Sequence, residues 1–219
     1  MQADIKGSHA FAYLDVQLEP GETVTAEADA MSSMDAQLEL RSRLNGGFFI
    51  ALLRKFLGGE TLFINDFSNP TAQQRRLTLV QPTPGEVRCI ELNGDTLYLQ
   101  PGAFLACTPG VKMGVKFAGL ISWLAKEGLF RIVVSGHGKV WYGAFGALLE
   151  KEIDGEYIVD TSHLVSYEPG IQLKLQLAGG IFSSLFGGEG LVTRVVGTGK
   201  IVIQTRSIPG ITGWINPRL

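Results

Sequence analysis

An all-β chain of three similar units, packed side by side into one continuous core with approximate threefold symmetry, is what this 219-residue sequence predicts. Three observations carry the prediction. Apolar and polar residues alternate on a period of two, turn dipeptides recur at short intervals, and one ordered pattern of residues occurs three times. Alternation places successive side chains on opposite faces of a strand, which helical spacing does not fit. Many short strands between Gly and Pro turns argue a sandwich or barrel. A unit of about 60–70 residues buries too little surface to be very stable alone, so three copies should share a core. The chain therefore reads as one compact domain over 1–219, with repeats at approximately 14–75, 87–146 and 147–215.

The first unit opens with LEPGETVTAEADAMSS from Leu18, where Pro20-Gly21 marks a turn and Gly21-Glu22 starts the pattern. A strand follows over 35–44, with Leu38, Leu40 and Leu44 on one face. Gly46-Gly47 leads into an apolar loop, Phe48 to Leu57, then Glu60-Thr61-Leu62 and a closing strand, LFIND. A short helix is predicted around Phe48 to Phe56. Asn65 to Arg88, with Pro70, Pro82, Pro84 and Gly85, lengthens this unit and is expected to hold an extra hairpin and a turn.

The second unit reads LNGDTLYLQPGAFLAC from Leu92, with turns at Asn93-Gly94, Pro101-Gly102 and Pro109-Gly110, and a strand over 110–117. Ala118-Gly119, the loop Leu120 to Leu124 and Glu127-Gly128-Leu129 follow in the same order, with a second short helix predicted near Ile121 to Lys126. The closing segment LFRIVVSGHGKVWYG contains Gly136-His137-Gly138, read as a hairpin turn. The third unit runs IDGEYIVDTSHLVSY from Ile153, a turn at Pro169-Gly170, a strand over 170–177, Gly179-Gly180, the loop Ile181 to Phe186 and Glu189-Gly190-Leu191. Its closing segment holds Gly197-Thr198-Gly199-Lys200. A phosphate loop would need a helix after the Gly-Lys pair; Ile201-Val202-Ile203 is a strand, so a second hairpin turn is predicted there.

Lys plus Arg number 19 and Asp plus Glu 21, a formal charge of −2 that gives no global attraction to nucleic acid or anionic lipid. Charged residues make up 18 % and hydrophobic ones 45 %, with 28 glycines. That argues against disorder, and for surface buried between subunits or many tight turns. Met1 to Gly7 lacks the basic start and apolar run of a signal peptide, and no apolar stretch is long enough to span a bilayer. Cys89 and Cys107 are too few for a disulfide framework, and each is expected as a buried thiol in a cytoplasmic protein.

Sequence signals for chemistry are sparse. His9, His137 and His163 have no His or Cys neighbour at a ligand spacing, and no Gly-x-Ser-x-Gly elbow is present. No metal, no cofactor and no enzymatic activity are expected. Glu60, Glu127 and Glu189 recur at equivalent places. They are expected to accept backbone N–H bonds or face solvent, the alternative being a threefold carboxylate set for a cation or basic partner. The loop residues Phe48, Phe49, Trp123, Phe182 and Phe186 are the candidate interaction residues. They are expected in the domain or a subunit interface, the alternative being a bilayer surface met with help from Arg54 and Lys55.

The repeated Gly-Gly…Gly-Gly-Glu-x-Leu pattern, with GGFFIALLRKFLGGETLFIN and GGIFSSLFGGEGLV, resembles the altered-inheritance-of-mitochondria family from about Val16 to the C-terminus. The resemblance implies short β-sandwich units repeated three times, a fold similar to the tryptophan RNA-binding attenuation protein, and a trimer giving a ring of nine units. It also implies a link, in mitochondria, to the inner membrane and its cristae-organising complex, and no known biochemical function. The tryptophan- and RNA-binding positions of the attenuation protein do not map onto this sequence. Lys112, Lys116 and Lys174 are scattered in a net acidic chain, so nucleic acid is not an expected partner.

The leading expectation is a non-enzymatic oligomeric scaffold, a homotrimer, cytoplasmic and peripheral at a membrane through its apolar loops. A ring-shaped small-molecule or nucleic-acid binding protein, by analogy of fold, is the alternative. An enzyme with a site between repeats is the third.

Overall fold

Strands dominate because the alternating segments each have an apolar face to bury. The computed structural model describes residues 1–7, 9–44, 63–117, 130–177 and 191–216. Within them, β1 (Gln2–Lys6), β2 (Tyr13–Leu18), β3 (Thr23–Glu27), β4 (Met31–Met34), β5 (Glu39–Leu44), β6 (Phe63–Ser68) and β7 (Arg75–Val80) come first. β8 (Val87–Leu99), β9 (Phe104–Cys107), β10 (Val111–Phe117) and β11 (Phe130–Gly143) follow. Last are β12 (Leu148–Asp160), a 3-10 turn (Thr161–His163), β13 (Leu164–Tyr167), β14 (Ile171–Leu177), β15 (Leu191–Gln204) and one short helix, α1 (Ile208–Ile215).

The strand pairings are antiparallel. One sheet has the order β1-β2-β7-β4. The other follows β12-β15-β13-β8-β11-β9-β3-β6-β5, with β10 added to β11 and β14 to β15. In β2, Leu14, Val16 and Leu18 point inward, between outward Asp15 and Gln17. In β14, Ile171 is buried while Gln172 and Lys174 are exposed.

Three long strands replace turns that the sequence predicts: Gly94 lies inside β8, Gly136 and His137 inside β11, and Gly197 to Lys200 inside β15. Gly155 likewise lies inside β12. The physical reason is close backbone crossing. Gly136 (φ 104°) and Gly197 (φ 131°) adopt conformations closed to other residues, which bends a continuous strand instead of reversing it. A Cβ at Gly197 would sit 2.1 Å from the Gly170 carbonyl oxygen, and one at Gly110 would sit 2.0 Å from the His137 carbonyl oxygen.

In the first part of the chain β6 and β7 are separate strands on either side of Pro70. The two do not form the expected extra hairpin. β6 pairs with β3 and β5, whereas β7 pairs with β2 and β4 in the other sheet. The strand expected over 35–44 begins only at Glu39. Asp35 to Leu38 is a turn, closed by the Leu38 N–H donating to the Asp35 carbonyl at 3.0 Å. The strands expected over 110–117 and 170–177 are β10 and β14.

Among the described residues, three contiguous clusters form the core. The first centres on β2, β3 and β7, with Leu105, Ala106 and Trp141 contributed from β9 and β11. The second centres on β8, β9 and β11, with Leu148, Val165 and Val202 from β12, β13 and β15. The third holds Ile153, Val159, Leu164, Tyr167, Ile171, Val195 and Ile201. The helices predicted around Phe48 to Phe56 and Ile121 to Lys126 lie outside the described residues. The helix observed, α1, is capped by Ser207, whose hydroxyl accepts from the Gly210 N–H at 3.2 Å, and carries Pro209 in its first turn.

Candidate interaction site at the strand edges

The predicted interaction residues Phe48, Phe49, Trp123, Phe182 and Phe186, and the repeated Glu60, Glu127 and Glu189, all lie outside the described residues. The described part of the chain offers a different set of features, built from one kind of strand contact.

Two short strands each bridge two parts of the chain. β9 hydrogen-bonds to β11 on one side and to β3 on the other, with Cys107 opposite Thr25 and Ala106 opposite Ala26. β13 lies likewise between β15 and β8, with Tyr167 opposite Tyr98 and Ser166 opposite Leu99. All four residues of β9 and all four of β13 are buried. Each carries a bulge at the same place: the register shifts around Leu105 in β9 and around Val165 in β13, and both side chains enter a neighbouring core. At the second contact the rings of Tyr98 and Tyr167 stack with centroids 5.0 Å apart, and the Lys116 Nζ lies 5.1 Å from the Tyr98 centroid.

A third short strand, β4, pairs with β7 and shows the same register shift, around Ser32. Among the described residues its other edge has no partner. It is mostly exposed, with Met31 38 % accessible. At the far end of the second sheet, β12 pairs only with β15 among the described strands. Tyr157 and Ile158 on it are 41 % and 54 % accessible. Unpaired N–H and C=O groups at such edges are templates for another strand.

A side-chain anchor, missed in the sequence reading, precedes β5, β10 and β14. Asp35 Oδ2 accepts from the Arg76 N–H at 2.9 Å, Thr108 Oγ1 from the Lys139 N–H at 2.9 Å, and Glu168 Oε2 from the Lys200 N–H at 2.8 Å. The N–H of each anchoring residue donates back to the same strand residue's carbonyl. The signal was present in Thr108-Pro109-Gly110 and Glu168-Pro169-Gly170, where an oxygen-bearing side chain stands before the turn.

A cleft of about 810 Å³ lies over the β3–β9 contact, lined by Thr25, Arg43, Asp66, Thr108 and Lys139 among others. Asp66 is engaged there by the Arg43 Nε at 2.6 Å and the Thr25 hydroxyl at 2.6 Å. Cys107 is buried, and burial pushes its thiol up to about 12, so it is not a nucleophile at neutral pH. Cys89, expected to be buried, is exposed because it shares the outer face of β8 with Glu91. The His163 Nδ1 lies 2.6 Å from the Gln204 carbonyl oxygen, fixing that ring against the end of β15. Among the described residues no group of three or more His, Cys, Asp or Glu is placed to hold a metal ion.

The exposed large apolar residues of α1 (Ile208, Ile211, Trp214 and Ile215) form the other conspicuous surface. Among the described residues no helix is long and apolar enough to cross a membrane.

A model of the family described as mitochondrial biogenesis AIM24 matches residues 3–206. An uncharacterized protein of Streptococcus pyogenes serotype M6 is 27 % identical over 224 residues, spanning 98 % of this chain and 90 % of that protein. A Streptococcus pyogenes protein of known crystal structure superposes with a TM-score of 0.80 at 26 % identity, covering 100 % of this chain and 99 % of that one.

Proposed function

The chain belongs to the mitochondrial biogenesis AIM24 family, and from that premise we propose that it is a non-enzymatic, self-assembling scaffold, a homotrimer whose chains each consist of three like units. The observation that carries the reading is the repeated strand pattern. β2 and β3 stand to β7 and β6 as the two halves of β8 stand to β11, and as those of β12 stand to β15. β5, β10 and β14 each add to the first half of the returning strand, and β4, β9 and β13 each add to its second half. The anchors at Asp35, Thr108 and Glu168 fall at the same place in each unit.

Units related in this way suit the sandwich ring that the attenuation-protein likeness implies. The second and third units each pass a short strand to the one before, β9 to β3 and β13 to β8, which is a means of building a larger body from like contacts. The low charge fraction of 18 % supports subunit contact, and the sparse chemistry supports a structural role. The exposed apolar residues of α1, with the predicted loop residues Phe48 and Phe182, support contact of the assembly with a membrane surface from the cytoplasmic side.

Light scattering after size exclusion, at micromolar protein, tests the assembly. The expected mass is three times the 23.7 kDa of one chain. A single species of 23.7 kDa would overturn the scaffold reading.

A further inference from the structure

The unpaired edges of β4 and β12 are the two halves of one joint. We propose that β4 of one copy pairs antiparallel with the Tyr157–Asp160 end of β12 in a second copy of this chain, Met34 opposite Ile158 and Ser33 opposite Val159. The inference rests on the three-unit scaffold reading and supplies its partner and its register.

The joint continues a pattern already built inside the chain. On the receiving side, Thr25 lies opposite Asp66, Tyr98 opposite Val133, and Ile158 opposite Arg194. Asp66, Val133 and Arg194 hold equivalent places, since each also faces the residue three before the end of its hairpin strand: Arg41, Gly114 and Lys174. Thr25, Tyr98 and Ile158 are therefore the same position. On the donating side, Cys107 faces Val140, Tyr167 faces Ile201 and Met34 faces Leu77, each one residue beyond the anchored amide. The internal joints set Cys107 on Thr25 and Tyr167 on Tyr98. Carrying that register over sets Met34 on Ile158.

Burial agrees. The donor strands β9 and β13 are buried throughout, whereas β4 is open. At the joint position Thr25 is buried and Tyr98 is stacked on Tyr167, whereas Ile158 is exposed; Ala26, Leu99 and Val159, one residue on, are all buried. Among the described residues this leaves one donor edge, at the end of the four-stranded sheet, and one acceptor edge, at the end of the other. A contact between unlike surfaces of identical copies propagates head to tail and closes into a ring when the rotation allows. Ser32 and Ser33 stand where the internal joints carry Leu105-Ala106 and Val165-Ser166. The joint between copies is therefore the more polar, and Ile158 against Met34 supplies its main apolar contact.

The test is disulfide trapping. In a Cys89→Ser background, Met34→Cys and Ile158→Cys are combined and oxidised, and the product is run on a denaturing gel without reductant. Residues directly opposite on antiparallel strands have Cα atoms within the range a disulfide spans. The expected result is covalently linked multiples of 23.7 kDa, absent from either single variant and from Met34→Cys combined with Tyr157→Cys. Ile158→Glu, at an exposed position that a lone chain tolerates, is expected to convert the assembly to a folded single chain of unchanged circular dichroism. An oligomer that neither cross-links nor dissociates overturns this joint and leaves the scaffold reading standing. A cross-link confined to one chain overturns the second copy as partner. A wild-type monomer overturns both.

Discussion

Cys107 and Cys89 are two thiols on the strands that flank β11, with opposite surroundings. Cys107 is packed between β11 and β3, and burial pushes its thiol from the ordinary 9.0 up to about 12. Cys89 is exposed, and partial burial raises its thiol by less. Ellman's reagent at pH 8 is therefore expected to titrate one thiol per native chain and two after unfolding in guanidinium. Two fast thiols in the native protein would contradict the buried setting of β9. The native state holds the Cys107 proton more tightly than the unfolded state, so the neutral thiol costs nothing below about 9 and stability falls as pH rises from 9 toward 12. Cys107→Ala should flatten that alkaline limb of a urea-denaturation series.

At the scale of elements, the long bent strands decide the fold, and they are where the sequence was hardest to read. Gly136-His137-Gly138 and Gly197-Thr198-Gly199 carry the residues of a hairpin turn. Only the tertiary approach of Gly110 and Gly170 makes them bends within β11 and β15. Alternation exposed β10 and β14 directly, and β5 from Glu39 onward, because period two is a local property. The register shifts around Ser32, Leu105 and Val165 left no mark, since a bulge depends on the partner strand. For the same reason the edges of β4 and β12 were not legible as a site, while the apolar loops drew attention by composition alone. Gly197→Ala tests the bend: a positive φ costs a residue with a side chain about 1–3 kcal/mol, before the clash with the Gly170 carbonyl is added. Chemical denaturation should show at least that loss, against a near-neutral effect of Gly213→Ala in α1, where a Cβ meets nothing within 4 Å. Equal stability of Gly197→Ala and wild type would remove the crossing as the reason for the continuous strand.

For the whole molecule, the question is what an assembly of such chains touches. α1 leaves the body after β15 with Ile208, Ile211, Trp214 and Ile215 exposed and no acidic residue between Thr205 and Leu219. Ile208, Ile211 and Ile215 follow helical spacing, so they share a stripe, with Trp214 beside it. Burying one such side chain away from water is worth about 1.5–3 kcal/mol, and a homotrimer would present three copies of the stripe at once. The net charge of −2 opposes binding to anionic lipid, so the expected preference is for neutral vesicles, with Arg206 near the headgroups. Flotation with phosphatidylcholine vesicles is expected to carry the wild-type chain upward. Ile211→Ser/Trp214→Ser should lower the bound fraction without loss of fold, because neither side chain is buried. Phe48→Glu/Phe182→Glu should lower it independently, if the apolar loops share the surface. Ile158→Glu should also weaken binding, by separating the copies and removing their joint contribution rather than any lipid contact. A wild-type chain that stays at the bottom of the gradient, or α1 and loop variants that float as well as it does, would end the membrane reading and leave the edges of β4 and β12 as the chain's working surfaces.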